Sequence, residues 1–152
     1  WQMRKNPAKP STFLDKLSFG SFNQGITAPR TKFDWLSRDP KIIDAYENDP
    51  FCGIVCSAGF FYDLFTGLAL IHNQQLNAQI PKEIPLLVVS GDADPVGKNG
   101  KGVREFVTAY EKLGIQNIKT ILYPAARHEL LNEENKEEVM EDIFAWLRGQ
   151  IN

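Results

Sequence analysis

Two stretches decide the fold: PLLVVSGDADPVG over residues 85–97, and IKTILYPAARHELLNE over residues 118–133. Each opens on an apolar run rich in β-branched residues, Leu86 to Val89 and Ile118 to Leu122, bounded by turn residues as buried parallel strands are. Between them, Val103, Phe106, Val107, Tyr110 and Leu113 recur at helical spacing, which predicts a helix from Gly102 to Leu113 with Gly114 just past its end. Strand, crossover helix and strand form a right-handed βαβ unit, so the loops after both strands open at the same sheet edge. Open α/β sheets place their chemistry at that edge.

The first loop carries Ser90-Gly91-Asp92-Ala93-Asp94-Pro95 and the second Tyr123-Pro124-Ala125-Ala126-Arg127-His128-Glu129. A carboxylate on one loop and an imidazole on the next are the two members of a Ser, Asp, His relay that need no sequence neighbour. The carboxylate accepts the Nδ1 proton, fixes the tautomer and stabilises the imidazolium. Asp92 and Asp94 compete for the acid position, and spacing alone does not separate them. The order Asp then His fits hydrolases in which serine comes first. Yet the chain contains no GxSxG: Ser57 lies in Val55-Cys56-Ser57-Ala58-Gly59 and Ser21 in Phe19-Gly20-Ser21-Phe22-Asn23.

GDADPVG followed by GKGV, a helix, LYPAARHELLNE and a terminal FAWL resembles the C-terminal part of α/β hydrolases of the monoacylglycerol lipase and lysophospholipase type. TKFDWLSRDPKIIDAYENDPFCG and then FFYDLFTGL resemble the end of their cap and the return to the core. The resemblance runs from Phe19 to Leu147 and lacks the family's HG oxyanion loop and its GHSMG-like elbow. It implies an α/β fold in which residues 1–50 belong to a helical cap and residues 51–152 to the C-terminal part of the core. It also implies Asp94 as the acid, with Asp92 left to bond loop amides, and His128 as the base. The function implied is a serine hydrolase of lipid-type carboxylic esters, such as monoacylglycerols or lysophospholipids, with its nucleophile outside this stretch. No cofactor or metal is implied. A non-catalytic binding or assembly module built on the same scaffold is the alternative.

With 152 residues, 43% apolar and 24% charged, the chain has a globular balance. Two convincing strands make a small sheet with an open edge and an uncovered face. Together with a start at Trp1, this suggests a fragment that pairs its edge with a missing N-terminal half or with a second copy. A net charge of −2 gives no basic stripe for nucleic acid. Arg4, Lys5 and Lys9 read as a solvated tail. Cys52 and Cys56, without zinc-spaced partners, read as reduced packed thiols, and a cytoplasmic setting is expected. The segment from Gly97 to Gly102 lacks the order of a phosphate-binding loop, because Val103 stands where the lysine belongs.

Elsewhere, Ser11 or Thr12 caps a short helix, and Asp39 with Pro40 opens another through Asn48. Phe51 to Cys56 reads as an extended connector. Ser57 caps a helix from Ala58 to about Asn73, whose Phe61, Leu64, Phe65, Leu68 and Ile71 share one wide apolar face. That face reads as core, with Phe60, Phe61, Leu64 and Phe65 as candidates for an acyl-chain wall. His72 reads as a helix-end residue without chemistry. Asn132 is expected to cap a terminal helix from Glu133 to Arg148, with Val139, Met140, Ile143, Phe144 and Leu147 facing inward. Arg127 and Glu129 flank the histidine and are read as able to orient its loop, but an ion pair at such exposed places contributes little and they are given no chemistry.

Overall fold

In the computed structural model of the protein, residues 6–151 are described. The central unit is a parallel pair of strands, β1 (Leu86–Gly91) and β2 (Ile118–Tyr123). The register sets Leu86 opposite Ile118 and ends with Gly91 opposite Tyr123, so both strands stop at the same level. The crossover is helix α5 (Lys101–Lys112). In the chain before it lie α1 (Thr12–Phe19), α2 (Pro40–Asn48), α3 (Ala58–Ile71) and the single turn α4 (Gln74–Asn77), and α6 (Lys136–Ile151) follows β2.

The local signals explain most of these boundaries. Helix α1 is capped by the Ser11 hydroxyl, which accepts from Leu14 N–H, and α2 by Asp39, which accepts from Lys41 N–H at 2.8 Å with Pro40 in the first turn. Ser57 caps α3 at Phe60 N–H. That helix stops at Ile71, short of the expected Asn73, because the Asn73 side chain caps α4 instead, accepting from Gln75 and Leu76. Helix α5 starts one residue before the expected Gly102, since Gly100 takes the N-cap position at φ +77°. At its end Gly114 lies at φ +94° and donates to Glu111 O, the left-handed cap that its position predicted.

The terminal helix departs from expectation. Leu130–Asn132 form a 3-10 turn, and α6 begins only at Lys136. Asn132 does not cap it: its side chain donates to Glu129 Oε2 at 2.8 Å. Glu133 therefore lies outside the helix it was expected to open, and it is fully buried.

Tyr123, Ala126 and Val139 form a buried cluster on which Val89, Ile121, Leu130 and Ile143 pack. The expected inward stripe of α6 is only partly buried: Val139 is enclosed, whereas Phe144 and Leu147 are exposed. On α3, Phe61 is enclosed but Phe65, Leu68 and Ile71 are exposed. Among the described residues β1 and β2 pair only with each other, so the outer edges of both strands are unpaired by strands and two apolar helix faces lack a covering layer. No helix among the described residues is long and apolar enough to cross a membrane. Cys52 and Cys56 are free and half-buried. Of the basic N-terminal cluster, Arg4 and Lys5 lie outside the described residues, and Lys9 is exposed.

Candidate active site

Because β1 and β2 end in register, the loops after Gly91 and Tyr123 lie side by side. Three bonds tie them: Asp92 N–H donates to Tyr123 O at 3.1 Å, Ala93 N–H to Ala126 O at 3.1 Å, and Ala125 N–H to Asp92 Oδ1 at 2.7 Å. Asp92 thus bonds a backbone amide of the neighbouring loop rather than one of its own. The intra-loop turn belongs to Asp94, whose Oδ1 accepts from Val96 N–H at 2.9 Å and whose carbonyl accepts from Asn99 N–H at 2.8 Å.

These constraints aim the second carboxylate oxygen at the next loop. Asp94 Oδ2 lies 3.1 Å from His128 Nδ1, with the Asp94 side chain buried and that of His128 38% exposed. The structure brings Asp94 and His128 together and leaves Asp92 engaged with Ala125. The hydrogen bond to Asp94 raises the His128 pKa above its ordinary 6.5; partial burial works in the opposite direction, and the charges of Asp94 and Glu129 add to the rise. A raised folded-state pKa means that the stabilisation from this pair is complete below about pH 6.5, where the unfolded chain's imidazole is also protonated, and is lost as pH rises through the folded value. Melting temperatures followed by circular dichroism are expected to show that decline in wild type, and Asp94→Asn to flatten it.

His128 also rests on the segment before α2. Its N–H donates to Trp35 O at 3.4 Å, Glu129 N–H donates to Leu36 O at 2.8 Å, and its ring lies 5.1 Å from that of Trp35. The rings of Trp35 and Phe22 (4.9 Å), Phe22 and Phe19 (6.0 Å), and Phe19 and Phe61 (6.0 Å) continue this contact to α3. A cleft of about 430 Å³, lined in part by Phe19, Phe33, Trp35, Tyr46 and Phe51, opens beside Trp35. Of the four α3 residues expected to form an acyl wall, none lines this cleft, and Phe61 is sealed inside the protein.

Glu133 was not singled out by the sequence, and Arg127 only as a charge able to orient the loop. The Arg127 guanidinium donates to Asp34 O at 2.6 Å and Ser37 O at 2.9 Å, so its partners are backbone carbonyls rather than an exposed charge. Glu133 Oε1 accepts Arg127 N–H at 2.7 Å, and Oε2 accepts Arg38 Nε at 2.7 Å. No group of three or more metal-ligating side chains occurs among the described residues.

Residues 3–135 match the family model described as serine aminopeptidase, S33, a group of α/β hydrolases. The chain belongs to this family. Over 135 residues it is 29% identical to a monoacylglycerol lipase of Mycolicibacterium smegmatis, covering 87% of this chain and 45% of that protein. A thermostable carboxyl esterase from Bacillus coagulans, solved with glycerol, superposes with a TM-score of 0.86 at 28% identity, covering 96% of this chain and 48% of that one. A lipase in an open form gives 0.80 at 26% identity, covering 94% and 46%. The S33 chain thus spans about half the length of these relatives. As an α/β hydrolase it contributes two parallel strands and the helices packed around them, a partial form of the fold.

Proposed function

We propose that these residues supply the acid and the base of a Ser-Asp-His hydrolase acting on carboxylic esters of lipid type, with monoacylglycerols as the substrate class. The observation that carries the reading is the 3.1 Å approach of Asp94 Oδ2 to His128 Nδ1, with Oδ1 already held by Val96 N–H. With the Nδ1 proton held by Asp94, Nε2 is the nitrogen that exchanges protons. It accepts the proton of an attacking serine hydroxyl as the ester carbonyl becomes tetrahedral, then returns it to the departing glycerol oxygen. Water next takes the place of the serine hydroxyl, and the same nitrogen serves deacylation.

In this reading the serine and the oxyanion donors belong to a segment outside residues 1–152. That segment's strand adds to the free edge of β1 and covers the apolar faces of α3 and α6. Residues 1–50 act as part of a cap over the site, and the aromatic cleft beside Trp35 takes the acyl chain. The names of the esterase and lipase relatives support ester chemistry, and that of the mycobacterial relative supports a monoacylglycerol.

A fluorophosphonate probe reports an activated serine directly. The isolated chain is expected to remain unlabelled, and a polypeptide joining it to a GxSxG-bearing segment is expected to label and to hydrolyse monoacylglycerol. A labelled serine within residues 1–152 would overturn this division of the machinery.

A further inference from the structure

The least expected charge in the molecule is Glu133, a carboxylate with no solvent exposure at all. A buried carboxylate is tolerated only when its oxygens are saturated by donors. Here four donors converge: Arg38 N–H (3.2 Å) and Arg127 N–H (2.7 Å) on Oε1, and Arg38 Nε (2.7 Å) and Glu134 N–H (3.2 Å) on Oε2. Two of them belong to the segment before α2 and two to the histidine loop and its continuation. Arg38 Nη2 adds a bond to Asn135 Oδ1 at 2.7 Å, and Ser37 Oγ donates to Asn132 O at 2.7 Å.

The contacts close a ring that includes Arg127, the residue before His128. Glu133 holds Arg38; the residues preceding Arg38 offer the carbonyls of Asp34 and Ser37 to the Arg127 guanidinium; and Arg127 N–H returns to Glu133. His128 follows Arg127 directly, with its own N–H on Trp35 O and its ring against Trp35. Two of the supports of His128, its own loop and the Trp35 segment, are therefore anchored to one carboxylate, and the third is Asp94. The charges that act on the imidazole are those of Asp94 and Glu129, while Arg127, Arg38 and Glu133 belong to the network that holds the adjoining backbone.

We infer that Glu133 is a positioning residue: by clamping the segment from Asp34 to Arg38 onto the histidine loop, it sets the place from which His128 meets Asp94. The inference rests on the Asp94–His128 reading above and extends it to a carboxylate that touches neither residue.

Glu133→Gln tests this in the isolated chain. Whichever way the amide sits, its NH2 meets either the Arg38 and Arg127 backbone donors or the pair formed by Arg38 Nε and Glu134 N–H. Imidazole resonances are followed by NMR against pH, with the signals of His72, the other of the two histidines, as reference. The expected result is a folded variant whose His128 midpoint falls toward that of free imidazole, with the Nδ1 proton resonance broadened or lost. Asp94→Asn is the calibrating variant and is expected to produce the full fall. If Asp94→Asn lowers the midpoint but folded Glu133→Gln titrates as wild type, the positioning role is overturned alone. If Asp94→Asn itself changes nothing, the underlying pair reading fails and the inference with it. Should Glu133→Gln not fold, Arg38→Gln leaves the carboxylate its backbone donors and is expected to give a smaller fall in the same direction; no change there would overturn the proposal.

Discussion

In a polypeptide that joins residues 1–152 to a GxSxG-bearing segment, His128→Ala is expected to lower kcat for a monoacylglycerol by a factor on the order of 10⁶, and Asp94→Asn by about 10⁴. The histidine loss is the larger because alanine removes the group that takes the hydroxyl proton. Asparagine keeps the shape of Asp94 but presents an amide that can donate to Nδ1, so the imidazole carries its proton on the nitrogen that must be bare. The pH profile separates this from simple damage. With the His128 pKa raised by Asp94, the acidic limb of kcat/KM lies above pH 6.5 in wild type and moves down in the residual activity of Asp94→Asn. Asp92→Asn keeps an oxygen for Ala125 N–H and is expected to stay within about tenfold of wild type, the worth of about one hydrogen bond. Steady-state hydrolysis of the three variants across pH checks all of this, and an Asp92 effect equal to that of Asp94 would reverse the assignment.

The sequence made the βαβ unit legible because its signals are local: β-branched runs set the strands, apolar spacing sets α5, and Gly114 marks its end. The adjacency of the two loops followed from topology, without any knowledge of contacts. What could not be read were the interactions that join distant segments. Glu133 stands after Asn132 and before a helical pattern, so helix-start rules place it in the first turn of the terminal helix. Its burial depends on Arg38, far away in the chain, and no periodicity carries that information. The partners of Arg127 were hidden for the same reason, since they are backbone carbonyls of Asp34 and Ser37. The stripes of α3 and α6 were read correctly as apolar, but amphipathicity says which face seeks cover, not whether the cover is present. Spacing does not separate Asp92 from Asp94; the family resemblance selects Asp94, and it is Asp94 rather than Asp92 that the geometry brings to His128.

Gly91→Ala is expected to be among the most damaging single-methyl additions in the chain. The backbone of Gly91 needs no left-handed conformation, so the constraint is space. A Cβ at Gly91 would collide with the carbonyl carbon and oxygen of Ala126 and stand 2.6 Å from Arg127 O. These are backbone atoms of the histidine loop, fixed by the Ala93–Ala126 bond and by the clamp on Arg127, so no side chain can swing aside. Relief requires the two loops to separate, which breaks the bonds from Asp92 and Ala93 and withdraws His128 from Asp94. Overpacking of this kind costs about 1–3 kcal/mol, and backbone opposition puts Gly91 at the upper end, a fall in melting temperature of about 5–10 °C. Gly67→Ala is the matched control: it lies inside α3 with nothing near the added methyl, and alanine is the better helix former by about 0.5–1 kcal/mol, so its melting temperature is expected to hold or rise. Because the strain falls between the loops rather than in the strands, Gly91→Ala is also expected to return the His128 titration toward that of free imidazole while the circular dichroism of the folded state is retained. A Gly91→Ala chain as stable as wild type, with His128 titrating unchanged, would mean that the loops are not packed as closely as the Asp94–His128 contact requires.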